Sequence, residues 1–178
     1  LKTFDICVAN PPYSVSEWEY EKFKSDKNGR ITGYEMPPAK KADYAFVLHM
    51  IKSMNENGRA GIVLPHGVLF RGGAEGRIRE QFIKNDLIEA IIALPSKLFY
   101  GTGIPAAIVI FNKNKPEAHK NKILIVDAEQ EYEEGKNQNR LRKKDIEKIV
   151  EAFDGYRDIE KYARVVDMKV LAENEFNL

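Results

Sequence analysis

The chain has 178 residues, of which 43% are hydrophobic and 31% charged, a composition that indicates one folded core and excludes a disordered tail. Its 28 Lys and Arg residues balance 27 Asp and Glu residues, so the net charge of +1 gives no global argument for binding nucleic acid. A single cysteine, Cys7, excludes an internal disulfide, and with three histidines we expect no metal site. No apolar run approaches the ~20 residues that span a bilayer and no secretory signal opens the chain, so we expect a cytoplasmic protein without membrane contact.

The first predicted element is a buried strand, Phe4–Ala9, which two prolines end because they cannot donate to a β-ladder. The sequence opens on this strand without a Met, so we expect it to be a piece of a longer chain. Residues 14–41 contain glycine and proline breakers and show no sustained period. They predict a long loop, and a loop of this length is usually functional or mobile.

The next elements alternate between helix and strand. They are a helix over residues 43–57 with Asp43 as N-cap and Gly58 as C-terminal stop, a strand over 60–64, a helix marked by Ile78 and Phe82, and a strand over 87–94. This alternation predicts parallel strands with helices on the faces of the sheet. The strand over residues 105–111 follows a connection of about ten residues, too short for a parallel crossover, so we expect it to run antiparallel.

The last part of the chain changes in composition. Residues 123–126 predict one more strand, residues 128–140 a charged loop, and Ile146 to Phe153 an amphipathic helix that ends at Gly155. Residues 157–178 are polar and indicate an appendage. We therefore divide the chain into residues 1–127 and a C-terminal extension, residues 128–178.

The carboxyl ends of the parallel strands are the expected place for a ligand in an open α/β sheet. Three segments follow these ends: Asn10 to Tyr13, the residues at His66, and residues 96–104. Because the three strands are expected to be parallel, these segments should share one rim.

The sequence Asn10-Pro11-Pro12-Tyr13 carries the clearest chemical signal at this rim. Two prolines hold the turn extended and rigid, and they present the Asn10 oxygen and the Pro11 carbonyl as acceptors without a competing backbone donor. Tyr13 adds a flat face for stacking. This arrangement suits a planar ligand with an NH2 group, such as adenine or a glutamine amide, although Pro-Pro also simply ends strands.

This tetrapeptide resembles the catalytic motif of adenine-N6 DNA methyltransferases, and the wider sequence resembles the modification subunit of type I restriction-modification systems. The resemblance runs from Phe4 to the C-terminus. It is carried by Asp43-Tyr44-Ala45-Phe46, Gly58 to Pro65, Leu69 to Glu75, Leu94-Pro95, Leu98 to Pro105 and Gly135-Lys136-Asn137-Gln138-Asn139. It implies the C-terminal half of a Rossmann-like class I methyltransferase fold, a mixed α/β sheet with one antiparallel strand.

The resemblance also implies roles for individual residues. Asn10, Pro11, Pro12 and Tyr13 would be catalytic, with Asn10 and the Pro11 carbonyl accepting the two N6 hydrogens of an adenine swung out of the duplex. Tyr13 and Phe99 would stack on the base, the alternative for Phe99 being an ordinary core position. The methyl group of S-adenosylmethionine would pass directly to the amine.

Contacts with DNA are expected from the neighbouring loops. His66, Arg71, Arg77 and Arg79 could contact double-stranded DNA, the alternatives being a satisfied loop histidine and a solvated helix face. We expect this chain to lack the family's main S-adenosylmethionine-binding motif, a glycine-rich turn after an earlier strand. We therefore expect the chain alone to bind the cofactor weakly or not at all, to be inactive, and to self-associate.

The implied partners are double-stranded DNA, a DNA-specificity subunit and a restriction subunit. Two other functions stay open. One is a protein glutamine-N5 methyltransferase, a class that binds an amide with the same tetrapeptide. The other is a non-catalytic DNA-binding or assembly module, which would not need Asn10.

Overall fold

The computed structural model describes residues 1–99 and 103–178 and contains one six-stranded mixed sheet between helices. The strands are β1 Phe4–Ala9, β2 Met54–Pro65, β3 Ile88–Ala93, β4 Ala106–Asn112, β5 Lys122–Asp127 and β6 Ala163–Asp167. The helices are α1 Tyr20–Lys24, α2 Asp43–Ser53, α3 Gly73–Lys84, α4 Lys143–Gly155 and α5 Met168–Glu173, with short 3-10 turns at His66–Leu69 and Glu117–His119.

The strand order in the sheet is β1-β2-β4-β3-β5-β6. β1 and β2 pair in parallel, as do β3 and β5, whereas β4 lies between β2 and β3 and is antiparallel to both. The predicted α/β class and the antiparallel direction of β4 are confirmed. Because β1, β2 and β3 run in the same direction, the three loops after them lie at one rim of the sheet, as expected.

Helices cover both faces of the central strands. On one face, α2 and α3 bury Leu48, Ile78 and Phe82 against the sheet, where the Phe82 ring meets the Phe111 ring of β4 edge-on at 5.4 Å. On the other face, α4 packs Ile149 against β3 and β5. This sandwich of helix, sheet and helix holds the site loops at the rim.

The strand β1 has the predicted bounds but not the predicted burial. Phe4, Ile6 and Val8 are 44%, 74% and 80% exposed, whereas Cys7 and Ala9 on the opposite side pack against the core beneath α2. An apolar run predicts two covered faces, and among the described residues only one face of β1 is covered. β1 also lies at the edge of the sheet, next to β2 alone.

The second helix ends earlier than its pattern predicts, because the chain enters β2 directly. α2 stops at Ser53, and β2 starts at Met54, opposite Phe4 of β1. Gly58, predicted as a helix stop, lies inside β2 near an irregularity in the pairing with β1. A Cβ there would lie 2.9 Å from the Met54 Cβ in the same strand and 3.1 Å from the Phe4 carbonyl oxygen of β1, so this crowded position favours glycine.

The C-terminal residues expected as an appendage continue the sheet. β6 pairs antiparallel with β5, so the sheet has two antiparallel strands, β4 and β6, rather than the single one expected. Ala163 of β6 belongs to the same apolar cluster as Leu124 of β5. The sequence did not predict β6 because only alternate residues of an edge strand face the core, so the segment is polar in composition. Within residues 1–99 and 103–178, no helix is both long and apolar enough to cross a bilayer.

Candidate functional site

The tetrapeptide after β1 lines a cavity at the rim of the sheet. The cavity has a volume of about 450 Å³, is lined by residues 10–14, Phe99 and Ile104, and is called the Asn10 cavity below. The rings of Tyr13 and Phe99 face each other edge-on, with their centroids 6.1 Å apart. The structure therefore brings Asn10, Pro11, Pro12, Tyr13 and Phe99 together, although Phe99 is 89 positions along the chain from Asn10.

The lining of the Asn10 cavity offers both hydrogen-bond acceptors and donors, on Asn10, Tyr13 and Ser14. The Asn10 side chain is exposed, and its Oδ1 accepts a long hydrogen bond of 3.5 Å from the Tyr13 hydroxyl. Burial raises the pKa of Tyr13, so the phenol keeps its proton at neutral pH and serves as the donor. Oδ1 retains a second lone pair, and Pro11, whose carbonyl is a further acceptor, also belongs to the lining of the cavity.

The backbone that leaves the Asn10 cavity is fixed by a buried carboxylate. Ser14 has a left-handed backbone with φ of +49°, and its N–H donates to Asp43 Oδ1 at 2.7 Å while its hydroxyl donates to Oδ2 at 3.3 Å. Asp43 is 1% exposed and was predicted as the N-cap of α2. Instead it is the first helical residue, Ala42 is the N-cap, and the carboxylate turns toward Ser14.

Arg71 completes this buried cluster rather than facing solvent. Its guanidinium is 21% exposed and pairs with Asp43 at 3.1 Å and with Glu75 at 3.2 Å. Burial raises the pKa of the Glu75 carboxyl, and Arg71 counteracts part of that increase. The expected role of Arg71 at DNA phosphates is therefore not supported by its position, because both carboxylates already hold the guanidinium.

The other predicted DNA contacts lie outside the described lining of the Asn10 cavity. Arg79 is 2% exposed and donates to the carbonyls of Val68 and Arg71, so it cannot reach a phosphate, contrary to expectation. Arg77 is exposed on α3 and forms an ion pair with Glu35.

His66 begins the 3-10 turn after β2. Its backbone N–H donates to the Pro105 carbonyl at 3.0 Å, and its ring lies edge-on to the Phe70 ring at 6.0 Å. This hydrogen bond joins the loop after β2 to the segment that precedes β4. His66 is therefore at the rim, as predicted, beside Ile104 of the cavity lining rather than in it.

The sequence did not predict the side chains outside the cavity that hold its loops by hydrogen bonds. Ser14 and Asp43 are 29 residues apart, and the Ser96 carbonyl is bonded by Asn139, 43 residues away. The amide-rich run of residues 135–139 is evident in the sequence, but there it supported only the family resemblance and not a contact with residues 96–98.

The described lining of the Asn10 cavity fits a planar base with an amino group. It contains two acceptors and aromatic walls, and none of its described residues carries a carboxylate that could hold the hydroxyls of a ribose. We therefore assign none of these described lining residues to S-adenosylmethionine.

Comparison with known proteins agrees with this geometry. Residues 1–178 match the sequence profile of N-6 DNA methylases. The MjaVII and MjaVIII methylase subunits of type I restriction enzymes from Methanocaldococcus jannaschii are 41% and 42% identical to this chain over 98% of its length, and the chain spans 31% and 30% of theirs. The solved type I restriction-modification methyltransferase subunit from Streptococcus thermophilus is 37% identical with a TM-score of 0.89, covering 99% of this chain and 37% of that one. By sequence and by fold, the chain belongs to the N-6 DNA methylase family.

Proposed function

We propose that the Asn10 cavity receives the target adenine of DNA and that the protein methylates its N6 atom with S-adenosylmethionine as the methyl donor. The protein would act as the modification subunit of a type I restriction-modification complex, together with a DNA-specificity subunit and a restriction subunit. The observation that carries this proposal is the shared cavity of Asn10, Tyr13 and Phe99 in a member of the N-6 DNA methylase family.

The acceptors of the tetrapeptide would orient the amine. The Asn10 Oδ1 and the Pro11 carbonyl each accept one N6 hydrogen, which draws the nitrogen toward a tetrahedral form and directs its lone pair at the incoming methyl group. S-adenosylmethionine, when bound, would supply that methyl group from its positively charged sulfur and leave as S-adenosylhomocysteine, while the amine releases one N6 proton to solvent. Catalysis by the chain's own residues would then rest on orientation and on stabilisation of the charge that develops on the amine.

The aromatic rings would hold the base after it leaves the duplex. N6 of a stacked adenine is out of reach, so the base must be flipped, and contact with the rings of Tyr13 and Phe99 offsets part of the lost stacking. In the structure these rings meet edge-on at 6.1 Å, so a base that stacks on Tyr13 meets the Phe99 ring at an angle or displaces it.

Contacts with the DNA backbone would come from exposed groups at the same rim. Arg77 is exposed and its partner Glu35 lies at the surface, so the guanidinium can exchange this carboxylate for a phosphate at small cost. We also propose a DNA contact for His66, which lies beside Ile104. For Arg71 we propose a structural role through Asp43 and Glu75 instead.

The identity of the product tests this proposal. The full-length protein, assayed with its specificity subunit and labelled S-adenosylmethionine, should transfer label to duplex DNA, and digestion should release N6-methyladenine. The same acceptors could hold a glutamine amide, so a mixture of cellular proteins is supplied in parallel. Label in N5-methylglutamine with none in DNA would contradict the proposal, and so would transfer to neither substrate.

A further inference from the structure

The loop after β3, which carries Phe99, is fastened to a distant segment of the chain. Asn139 donates from its side-chain amide and from its backbone N–H to the first two carbonyls of residues 96–98, at 3.0 and 2.9 Å. Gln138 donates from its side-chain amide to the third. Three consecutive carbonyls are thus bonded, and the next residue along the chain is Phe99.

Next to this loop, the described side chains leave an apolar cavity. Leu98 and Phe99 line an apolar cavity of about 750 Å³, together with Leu141 and Phe153. Leu98 and Phe99 also pack against the apolar cluster that contains Ile92 and Leu124, so van der Waals contacts restrain their side chains on that side. Lys97 also has φ of +55°, a left-handed conformation that residues with a side chain rarely adopt. The hydrogen bonds from Gln138 and Asn139 add a directional restraint on the backbone of residues 96–98.

A tight turn at Gly135 orients the side-chain amides of Gln138 and Asn139 toward residues 96–98. A Cβ on Gly135 would lie 2.0 Å from the Gln138 carbonyl oxygen, so only glycine allows this approach. The Gly135 N–H donates to Asn139 Oδ1 at 3.4 Å, which leaves the side-chain nitrogen free to donate to the loop. Asn139 is 6% exposed, so its amide is withdrawn from water and held in this orientation.

We propose that Gln138 and Asn139 are positioning residues that fix Phe99 opposite Tyr13 for contact with the target base. The proposal rests on the proposed function, because it requires that Phe99 contacts the base. Neither amide is among the described residues that line the Asn10 cavity, so both act through the backbone of the loop. Removing the donors frees the loop to move into the apolar cavity and takes the ring out of position.

The test is a double-mutant cycle on methylation by the full-length protein with its specificity subunit. Asn139→Ala and Gln138→Met each remove a donor, and each should lower kcat/KM for duplex DNA by about 10- to 100-fold, as misplacement of a contact group does. Phe99→Ala should cause a loss of similar size. In the Phe99→Ala background, either donor substitution should add less than about a twofold loss, because the ring on which the donors act is gone.

The controls separate this role from general damage. Asn137→Ala changes an exposed amide in the same turn and should keep wild-type kcat/KM. Gln138 is half-buried, so Gln138→Met decides the outcome if the Asn139 variant unfolds. Wild-type activity of Gln138→Met would overturn the positioning role. So would a double variant whose loss equals the product of the losses of the donor substitution and of Phe99→Ala. In either of these cases, the Asn10→Ala variant shows which proposal has failed. If Asn10→Ala retains methylation, the proposed function is wrong; if Asn10→Ala is inactive, only the positioning role is wrong.

Discussion

Ser14 is the residue at which the chain leaves the Asn10 cavity, and one buried carboxylate holds its left-handed backbone. Asp43 accepts from both the N–H and the hydroxyl of Ser14, and Arg71 offsets its charge. A charge that is 1% exposed is stable only while these partners stay in place. The rigidity of the tetrapeptide thus depends on a side chain from the start of α2 as well as on its prolines.

Replacing Asp43 should therefore destabilise the protein strongly. Asp43→Ala leaves the Arg71 guanidinium without one of its two carboxylates and the Ser14 N–H unpaired, and we expect a loss of about 3–5 kcal/mol of unfolding free energy. Asp43→Asn keeps an acceptor for Ser14 and should lose less. Urea unfolding of the full-length protein measures both.

The matched control for Asp43 is an ion pair at the surface. Glu35→Ala breaks the pair with Arg77, whose side chain is 60% exposed, and should cost less than about 1 kcal/mol. Equal losses for Asp43→Ala and Glu35→Ala would contradict the structural role of the buried cluster.

At the scale of elements, local sequence patterns predicted the strand bounds and directions that depend on residues close together in the chain. β1 has the predicted bounds, and the short connection before β4 correctly gave its antiparallel direction. The end of α2 was missed because helical periodicity continues into residues that pair with β1, and pairing across the sheet outweighs the local pattern.

The site was predictable to the extent that it lies on strand ends. The rim rule selected Asn10 to Tyr13, and the family resemblance selected Phe99. The supports from Asp43 and Asn139 were not predictable, because each hydrogen bond joins a side chain to a backbone group far away in sequence. Such contacts leave no periodic pattern in the chain.

The start of α4 should be sensitive to acid. Arg142 donates to the Asp145 carboxylate from its backbone N–H at 2.8 Å and from Nε and Nη2 at 2.8 and 3.0 Å, and these bonds hold the pKa of Asp145 below its ordinary value. A lowered pKa contributes stability above the ordinary value of about 3.9, and that stability is lost as the pH falls toward the folded-state value.

Unfolding free energies at two pH values measure this contribution. Wild type should be more stable than Asp145→Asn at pH 6, and the difference should shrink at pH 3. Asp154→Asn changes an exposed aspartate on the same helix and should match wild type at both. A difference for Asp145→Asn that stays constant between the two pH values would contradict the proposed linkage.

At the scale of the whole molecule, the uncovered side of β1 is an apolar surface among the described residues. Phe4, Ile6 and Val8 alternate along an edge strand, so an exposed apolar row coincides with backbone groups available for pairing. The chain spans less than a third of the length of the MjaVII relative.

The 178-residue chain should self-associate through this edge. Sedimentation velocity should show a species larger than a monomer that grows with concentration, and Ile6→Lys with Val8→Lys should shift it toward monomer because charges oppose edge pairing. Thr3→Lys, just outside the strand, adds one charge of the same sign and should have little effect. Circular dichroism checks that each variant keeps its helices, and a clean monomer for the unmodified chain would refute the prediction.

The central claim is that the Asn10 oxygen holds the amine that is methylated. The most direct test measures transfer of labelled methyl groups to duplex DNA by the full-length protein with its specificity subunit, comparing Asn10→Ala with Asn57→Ala, a change in an exposed asparagine of β2 near the opposite end of the sheet. We predict that Asn10→Ala lowers kcat by at least about 100-fold with DNA binding retained, since it removes an acceptor that orients the reacting group, and that Asn57→Ala stays near wild type. Methylation by Asn10→Ala at the rate of Asn57→Ala would contradict the account.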